Sequence, residues 1–303
     1  MVAAAAAQAG GHLTLGQLHW ILRQNRQSIV VTVDGNIQIR NGQTHHRTTA
    51  DALAWSGAAG SFDAVIEEEG YEYCFQNAAS YLEQDDMTLA NFEGTITDST
   101  SHLTKEFVFG APFDYTQILL NGSIEAVNLA NNHSYDYLAQ GLQDTQDAMD
   151  EIGVAWSNQQ SVAIYEVRGV KIGMFGIDYV SGDSTSLAYP LIDELKEEGC
   201  NIIICTAHWG EEATYEPNGK QTSMAHKLID HGVDIVVGGH PHRLQPIEKY
   251  KDKWIAYSIS NFCFGGNVHP YNLDTFIYQQ TFTIGTDRKI KSTSNNIIPC
   301  WTS

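Results

Sequence analysis

Asp234-Ile-Val-Val-Gly-Gly-His-Pro-His242 decides the reading of this chain. A short apolar strand runs into a glycine-rich turn and ends on two histidines one residue apart, a rigid base from which two imidazoles can enter one pocket. A polar surface loop would account for such a pair if it stood alone. Three other stretches share its form: Met87-Thr-Leu-Ala-Asn-Phe-Glu93, Ile124-Glu-Ala-Val-Asn-Leu-Ala-Asn-Asn-His133 and Asn201-Ile-Ile-Ile-Cys-Thr-Ala-His208. Each is an apolar strand that stops on residues able to bind hard or borderline metals. In an open α/β sheet the carboxyl ends of the strands face one crevice, so ligands far apart in sequence meet around one or two ions.

The individual residues carry competing readings. Glu93 precedes a glycine that lets the backbone turn, and can bridge two metals or sit in solvent as a loop acid; Asn91, two residues earlier, points the same way if the strand continues. In Asn131-Asn132-His133 an asparagine carbonyl is a neutral oxygen ligand. The histidine beside it can stay off the metal and protonate a leaving oxygen. The alternative is a helix N-cap, because asparagine caps well and a helix is predicted from near Tyr137. Asp136 can hold the His133 imidazole in one tautomer or face the helix dipole as a first-turn carboxylate, and the two readings weigh equally. His208 leaves a strand too apolar to be exposed, which fits a ligand or a buried structural histidine. Mixed nitrogen and oxygen donors without thiolate suit Mn, Fe or Zn rather than Ca or a structural zinc. Two such ions about 3.5–4 Å apart activate water and clamp both oxygens of an in-line displacement at phosphorus.

Composition narrows the partners. The formal charge of −19, from 36 acids against 17 bases, repels phosphate backbones and anionic headgroups, so no nucleic-acid partner is expected and an anionic substrate would have to be held by bound cations. The five cysteines (Cys74, Cys200, Cys205, Cys263, Cys300) show no CxxC pair and read as small buried hydrophobes. No run reaches the ~18 apolar residues of a membrane span, and Ala3 to Ala7 lacks the basic start and long apolar core of a signal peptide.

Residues 1–50 contain one acid, Asp34, with four arginines and no lysine; every other acid lies beyond them. Only Ser28 to Val33 reads there as a strand, so 1–55 is expected to be an atypical segment, loosely packed or a misread frame, and 56–303 the domain proper. From Gly60 onward helix and strand alternate. Tyr71, Cys74, Phe75, Ala78 and Leu82 predict a helix with one apolar stripe, and Leu138, Leu142, Thr145, Met149 and Ile152 another that Gly153 ends. A hairpin is predicted between Val162 and Asp178 with Arg168-Gly169 at its turn, and short helices over Leu191–Glu198 and Thr222–His231. Strands then accumulate: Ile247–Tyr250, Trp254–Ile259, Thr275–Ile284 and Lys289–Ile298. The sum is an α/β fold of two packed sheets flanked by helices.

Five ordered motifs, ANFEGTIT (Ala90–Thr97), NLANNHSYDY (Asn128–Tyr137), HWGEE (His208–Glu212), GGHPHRLQPIE (Gly238–Glu248) and YSISNF (Tyr257–Phe262), make the stretch from Gly60 to Gly266 resemble the CapA (PgsA) family of bacterial capsule-synthesis proteins, associated with poly-γ-glutamate. The resemblance implies the calcineurin-like metallophosphoesterase fold, a four-layer αββα sandwich of two mixed sheets between helices. It implies Glu93 as bridging carboxylate, Asn132 as amide ligand, His208, His240 and His242 as nitrogen ligands, and His133 as catalytic histidine, around two divalent transition metals (Mn, Fe or Zn). It also implies a phosphoester or capsule-polymer substrate, partners in a capsule synthesis or export complex, and an extracytoplasmic place at the cell surface. One element departs from the family pattern. Its opening strand ends in Gly-Asp, a metal ligand, and no Gly-Asp occurs in the first 180 residues here; Asp51 and Asp34 are the candidates to replace it. That gap keeps a non-catalytic metal- or polymer-binding scaffold in competition with an enzyme, and a general phosphatase is the third reading.

Overall fold

The computed structural model describes residues 12–13, 36–38, 62–264, 272–285 and 287–301. The expected strand Ser28–Val33 and the aspartates Asp34 and Asp51 lie outside these described residues. In chain order the strands are β1 (His12–Leu13), β2 (Asn36–Gln38), β3 (Leu89–Phe92), β4 (Thr95–Ile96), β5 (Gly110–Ala111), β6 (Ala126–Asn128), β7 (Ala155–Ser157) and β8 (Ala163–Val167). They continue with β9 (Val170–Asp178), β10 (Ile202–His208), β11 (Ile235–Gly239), β12 (Ile247–Tyr250), β13 (Lys253–Ala256), β14 (Asn261–Phe264), β15 (Asp274–Ile284) and β16 (Ile290–Trp301). The α-helices are α1 (Phe62–Glu69), α2 (Ala79–Leu82), α3 (Thr116–Asn121), α4 (Leu138–Ile152), α5 (Thr185–Glu197) and α6 (Gly219–His231).

Two sheets organise the molecule. One has seven strands in the order β1-β12-β13-β11-β10-β9-β8, parallel through β13, β11, β10 and β9 and antiparallel toward both edges. The other has the order β14-β2-β3-β6-β7 with parallel pairing throughout. Side-chain alternation along the central strands shows how they stack, because successive residues of a strand face opposite ways. Met174 and Ile204 join Leu89 and Ala126 in a core between the sheets, and Trp254 and the hairpin residues Phe276 and Tyr278 close it. Their neighbours Phe175 and Cys205 face outward against Leu191 and Leu195 of α5 and Leu228 of α6. On the far side Ala90 and Phe92 meet Leu82, Ile118, Leu119 and Met149 of α2, α3 and α4. The order is therefore helices, seven-stranded sheet, five-stranded sheet, helices. Strands buried on both faces need apolar residues at nearly every position, which is why these segments read as continuous hydrophobic runs. Each fully buried large aliphatic or aromatic side chain contributes ~1.5–3 kcal/mol to that stack.

Local structure follows the sequence with two departures. The β8–β9 hairpin turns at Arg168-Gly169, α4 ends at Gly153 with a left-handed φ of 73°, and α6 starts on an Asn218/Gln221 capping box. The stripe from Tyr71 to Leu82 is buried as predicted at Phe75, Ala78 and Leu82, yet most of it is a run of turns in which bonds to the third and fourth preceding carbonyls alternate; only Ala79–Leu82 is α-helical. The regular helix lies just before it, at Phe62–Glu69. The second departure is α5, which begins at Thr185 rather than Leu191 and contains Pro190. Ala188, Leu191, Ile192 and Leu195 of α5 are buried against the sheet, and that packing holds the helix through a residue that ordinarily interrupts one. The five cysteines form no disulfide among the described residues, and there no helix is long and apolar enough to cross a membrane.

Candidate metal centre

The carboxyl ends of β3, β6, β10 and β11 come together at one end of the sandwich, and the sequence-predicted residues gather there. Glu93, fully buried, occupies the middle: its Oε1 lies 3.8 Å from His208 Nε2, 3.9 Å from His133 Nε2 and 4.0 Å from His242 Nε2. These separations are too long for hydrogen bonds, and Oε1 accepts none among the described residues. The His208 and His240 rings stand 4.9 Å apart and those of His240 and His242 5.9 Å apart. His208 Nε2 and Asn132 Oδ1 meet at 2.7 Å.

Close contact between the sheets brings the two halves of this cluster together. Asn128, at the end of β6, donates to Asn91 Oδ1 at 2.7 Å and accepts from Ala130 N at 3.1 Å. Gly176 of β9 lies over it so tightly that a Cβ there would fall 1.8 Å from Asn128 Oδ1. Asn91, in turn, donates to Glu93 Oε2 at 3.3 Å. Asn131 does not cap α4, whose N-cap is Tyr137 without a side-chain bond. Its amide donates to Phe92 O at 2.8 Å, and its carbonyl accepts from His133 N at 3.1 Å. The loop that carries Asn132 and His133 is thereby pinned to the strand that carries Glu93.

His133 and Asp136 form a tight pair. His133 Nδ1 lies 2.8 Å from Asp136 Oδ2, which also accepts from Phe109 N at 2.6 Å, while Lys105 pairs with Asp136 Oδ1. A carboxylate held by an ammonium and a backbone amide accepts only, so the shared proton belongs on His133 Nδ1 and Nε2 faces Glu93. Lys105 Nζ also donates to Asn132 O at 2.9 Å. On the opposite side His242 Nδ1 lies 2.8 Å from Asn261 Oδ1. That bond leaves His242 Nε2 turned toward Glu93, the arrangement by which an outer partner orients a metal-binding imidazole. His240 and His242 adopt φ values of 90° and 50°, sparsely populated for such residues and a feature that clusters at functional sites.

Burial keeps the His208 and His240 imidazoles neutral. Desolvation, with like-charge neighbours second, holds His208 well below its ordinary range and pushes His240 down to about 4. Neutral imidazole is the form that binds metal. Unpartnered buried donors and acceptors are rare in folded proteins, and three atoms without a partner among the described residues, Glu93 Oε1, His208 Nδ1 and His240 Nδ1, belong to this cluster. The donor set therefore fits divalent transition metals.

Three residues near the cluster were not predicted. Asn261 lies inside YSISNF, but nothing in that motif pairs it with His242. Glu212 ends HWGEE and is exposed; its carboxylate and the nitrogens of His240 and His242 lie within 4.8 Å of one another. Lys105, in the loop before β5, carries no sequence signal. By contrast Asp178, at the end of β9 in register with His208, is engaged by its own loop and accepts from Val180 N and Ser181 N at 3.0 and 3.1 Å. On β2 the register sets Asn36 between Asn91 of β3 and Asn261 of β14, so the strand position level with the site holds an amide residue.

A family model described as bacterial capsule synthesis protein PGA_cap matches residues 44–266. The chain belongs to that family. It is 30% identical to "PGA biosynthesis protein CapA" of Bacillus subtilis (strain 168) over 226 residues, which cover 67% of this chain and 59% of the relative. It is 28% identical to "Capsule biosynthesis protein CapA" of Bacillus anthracis over 228 residues, 66% of this chain and 56% of that one. The match thus spans somewhat over half the length of these relatives. Among solved structures the fold is similar to that of the calcineurin-like phosphoesterase YfkN from Bacillus subtilis, at 17% identity and a TM-score of 0.51 over 90% of this chain and 91% of the other. It is also similar to a hypothetical protein from Thermus thermophilus, at 11% identity and a TM-score of 0.50 over 77% and 95% of the two chains. The likeness to YfkN identifies the fold as calcineurin-like.

Proposed function

We propose that the strand-end cluster is a divalent transition-metal centre that hydrolyses a phosphoester during synthesis or export of an anionic capsule polymer. The observation that carries this reading is the buried Glu93 carboxylate, with three imidazole nitrogens from three separate segments of the chain within 4.0 Å of it and no hydrogen bond to its Oε1 among the described residues. Glu93, Asn132, His208, His240 and His242 would hold the metal. When bound, divalent ions supply Lewis acidity and lower the pKa of water to near neutrality. The chain's own groups do the rest. His133, as an imidazolium with Nδ1–H held by Asp136, presents Nε2–H to the reacting centre and delivers that proton to the leaving oxygen, which leaves the ring neutral. Lys105 compensates Asp136, and it places a cation beside the site in a chain of net charge −19.

Poly-γ-glutamate as the polymer, a capsule synthesis complex as the partner and the cell surface as the location are supported by the names of relatives, including a "probable polyglutamine synthesis accessory protein" of Mycobacterium tuberculosis at 29% identity over 58% of this chain. We assign the domain proper to 56–303, with 1–55 an atypical segment whose residues 12–13 and 36–38 add strands to the two sheets. A second reading, a scaffold that holds metal or a polymer end without turnover, is favoured by Asn36 at the strand position level with the site. Elemental analysis and p-nitrophenyl phosphate hydrolysis by the purified full chain separate the two. The enzyme reading expects about two transition-metal ions per chain and turnover that chelator abolishes. Bound metal without turnover of any phosphoester in a substrate screen supports the metal-holding scaffold, and a chain that takes up no metal defeats the enzyme reading and supports the polymer-holding scaffold.

A further inference from the structure

We propose that Glu212 is a metal ligand, completing the His242 side of the centre with a carboxylate that the family resemblance places on the first strand; the proposal rests on the metal-centre reading above. Three observations carry it. The Glu212 carboxylate and the imidazole nitrogens of His240 and His242 lie within 4.8 Å of one another. Bonds of about 2.0–2.2 Å hold the donors of one ion within about 4 Å, a spacing that rotation of the exposed glutamate side chain supplies.

The second observation is how the loops are joined. Ala213 N donates to Pro241 O at 2.9 Å and Trp209 N to Gly239 O at 3.2 Å, so the loop after β10 is laced to the His240-Pro241-His242 turn on both sides of Glu212. Ala213 has a φ of 59°, beside 90° at His240 and 50° at His242. Three non-glycine residues in the left-handed region around one cluster are unfavourable, and persist where the surroundings over-determine them.

The third is the state of the donors. His240 Nδ1 is buried without a partner among the described residues, and His242 has its Nδ1 engaged by Asn261, which frees Nε2. The Glu212 carboxylate makes no hydrogen bond or ion pair to another described residue. An exposed acid in so acidic a chain is ordinarily just solvated; this one faces two nitrogen donors across a gap of ionic size. Glu93 on one side and Glu212 on the other then give a divalent pair two carboxylates in place of one. On this assignment neither Asp34 nor Asp51 is required for metal binding.

The test uses the full-length chain stripped with chelator and titrated with Mn²⁺ by calorimetry and with Co²⁺ by visible absorption. Three proteins are compared: the unmodified chain, Glu212→Gln, and the double variant Asp34→Asn/Asp51→Asn. The proposal expects Glu212→Gln to lose one ion or weaken its binding at least 10-fold, with a changed Co²⁺ spectrum and unchanged far-UV circular dichroism. The double variant should titrate like the unmodified chain. A Glu212→Gln isotherm and spectrum identical to those of the unmodified chain overturn the assignment, as does loss of an ion in the double variant. Failure of the unmodified chain to bind either metal refutes the metal centre itself, a result distinct from both.

Discussion

The two sides of the site are built by opposite means. On the His133 side the groups behind the ring are all engaged: Nδ1 on Asp136, Asp136 on Phe109 N and Lys105, Lys105 on the Asn132 carbonyl. On the His240 side the backbone is strained, His240 Nδ1 is unpartnered among the described residues, and the Glu212 carboxylate lies within 4.8 Å of the His240 and His242 nitrogens. A satisfied network fixes one tautomer and one orientation, which suits a group that moves a proton. Donors left without protein partners suit an ion.

That contrast breaks first at the histidines. His240→Ala should abolish both metal uptake and phosphoester hydrolysis, whereas His133→Ala should leave metal content intact and lower kcat by ~10²–10⁴-fold; elemental analysis beside steady-state kinetics checks both. If the two variants lose metal alike, the sides do not divide the work. A smaller effect lies one shell out. Asn261→Ala should weaken metal affinity ~10–100-fold by freeing the His242 ring, while Asp136→Asn should lower kcat and alter its pH profile with metal affinity unchanged. Titration calorimetry and a pH–rate series on both proteins would show whether each partner acts only on its own side.

The smallest effect is on stability. His208 and His240 are held below their unfolded values by burial, His240 to about 4, so between that value and the unfolded pKa of about 6.5 the unfolded chain binds more protons than the folded one. Stability of the metal-free protein should therefore be fullest above pH 6.5 and fall as pH drops toward 4. Chemical denaturation across that interval measures it, and His240→Gln should flatten the slope. A slope untouched by that substitution would show that His240 is not the titrating group.

The local pattern was enough to place Glu93, Asn132, His133, His208, His240 and His242 at strand ends and to order the helices and strands around them. Buried strands are continuously apolar and their carboxyl ends share one edge, both properties of the backbone that a linear sequence carries. Asp136 could not be decided that way, since a helix-start carboxylate and a histidine partner look alike in sequence; the contact with His133 Nδ1 settled its position. Tertiary structure alone revealed Asn261 beneath His242, Lys105 against Asp136 and Glu212 across from the histidine pair. Asn261 opens β14, while Lys105 and Glu212 lie on loops whose course is set by hydrogen bonds to distant segments, as Leu103 N is held by Asp136 O and Ala213 N by Pro241 O, and no local periodicity encodes what such residues will face.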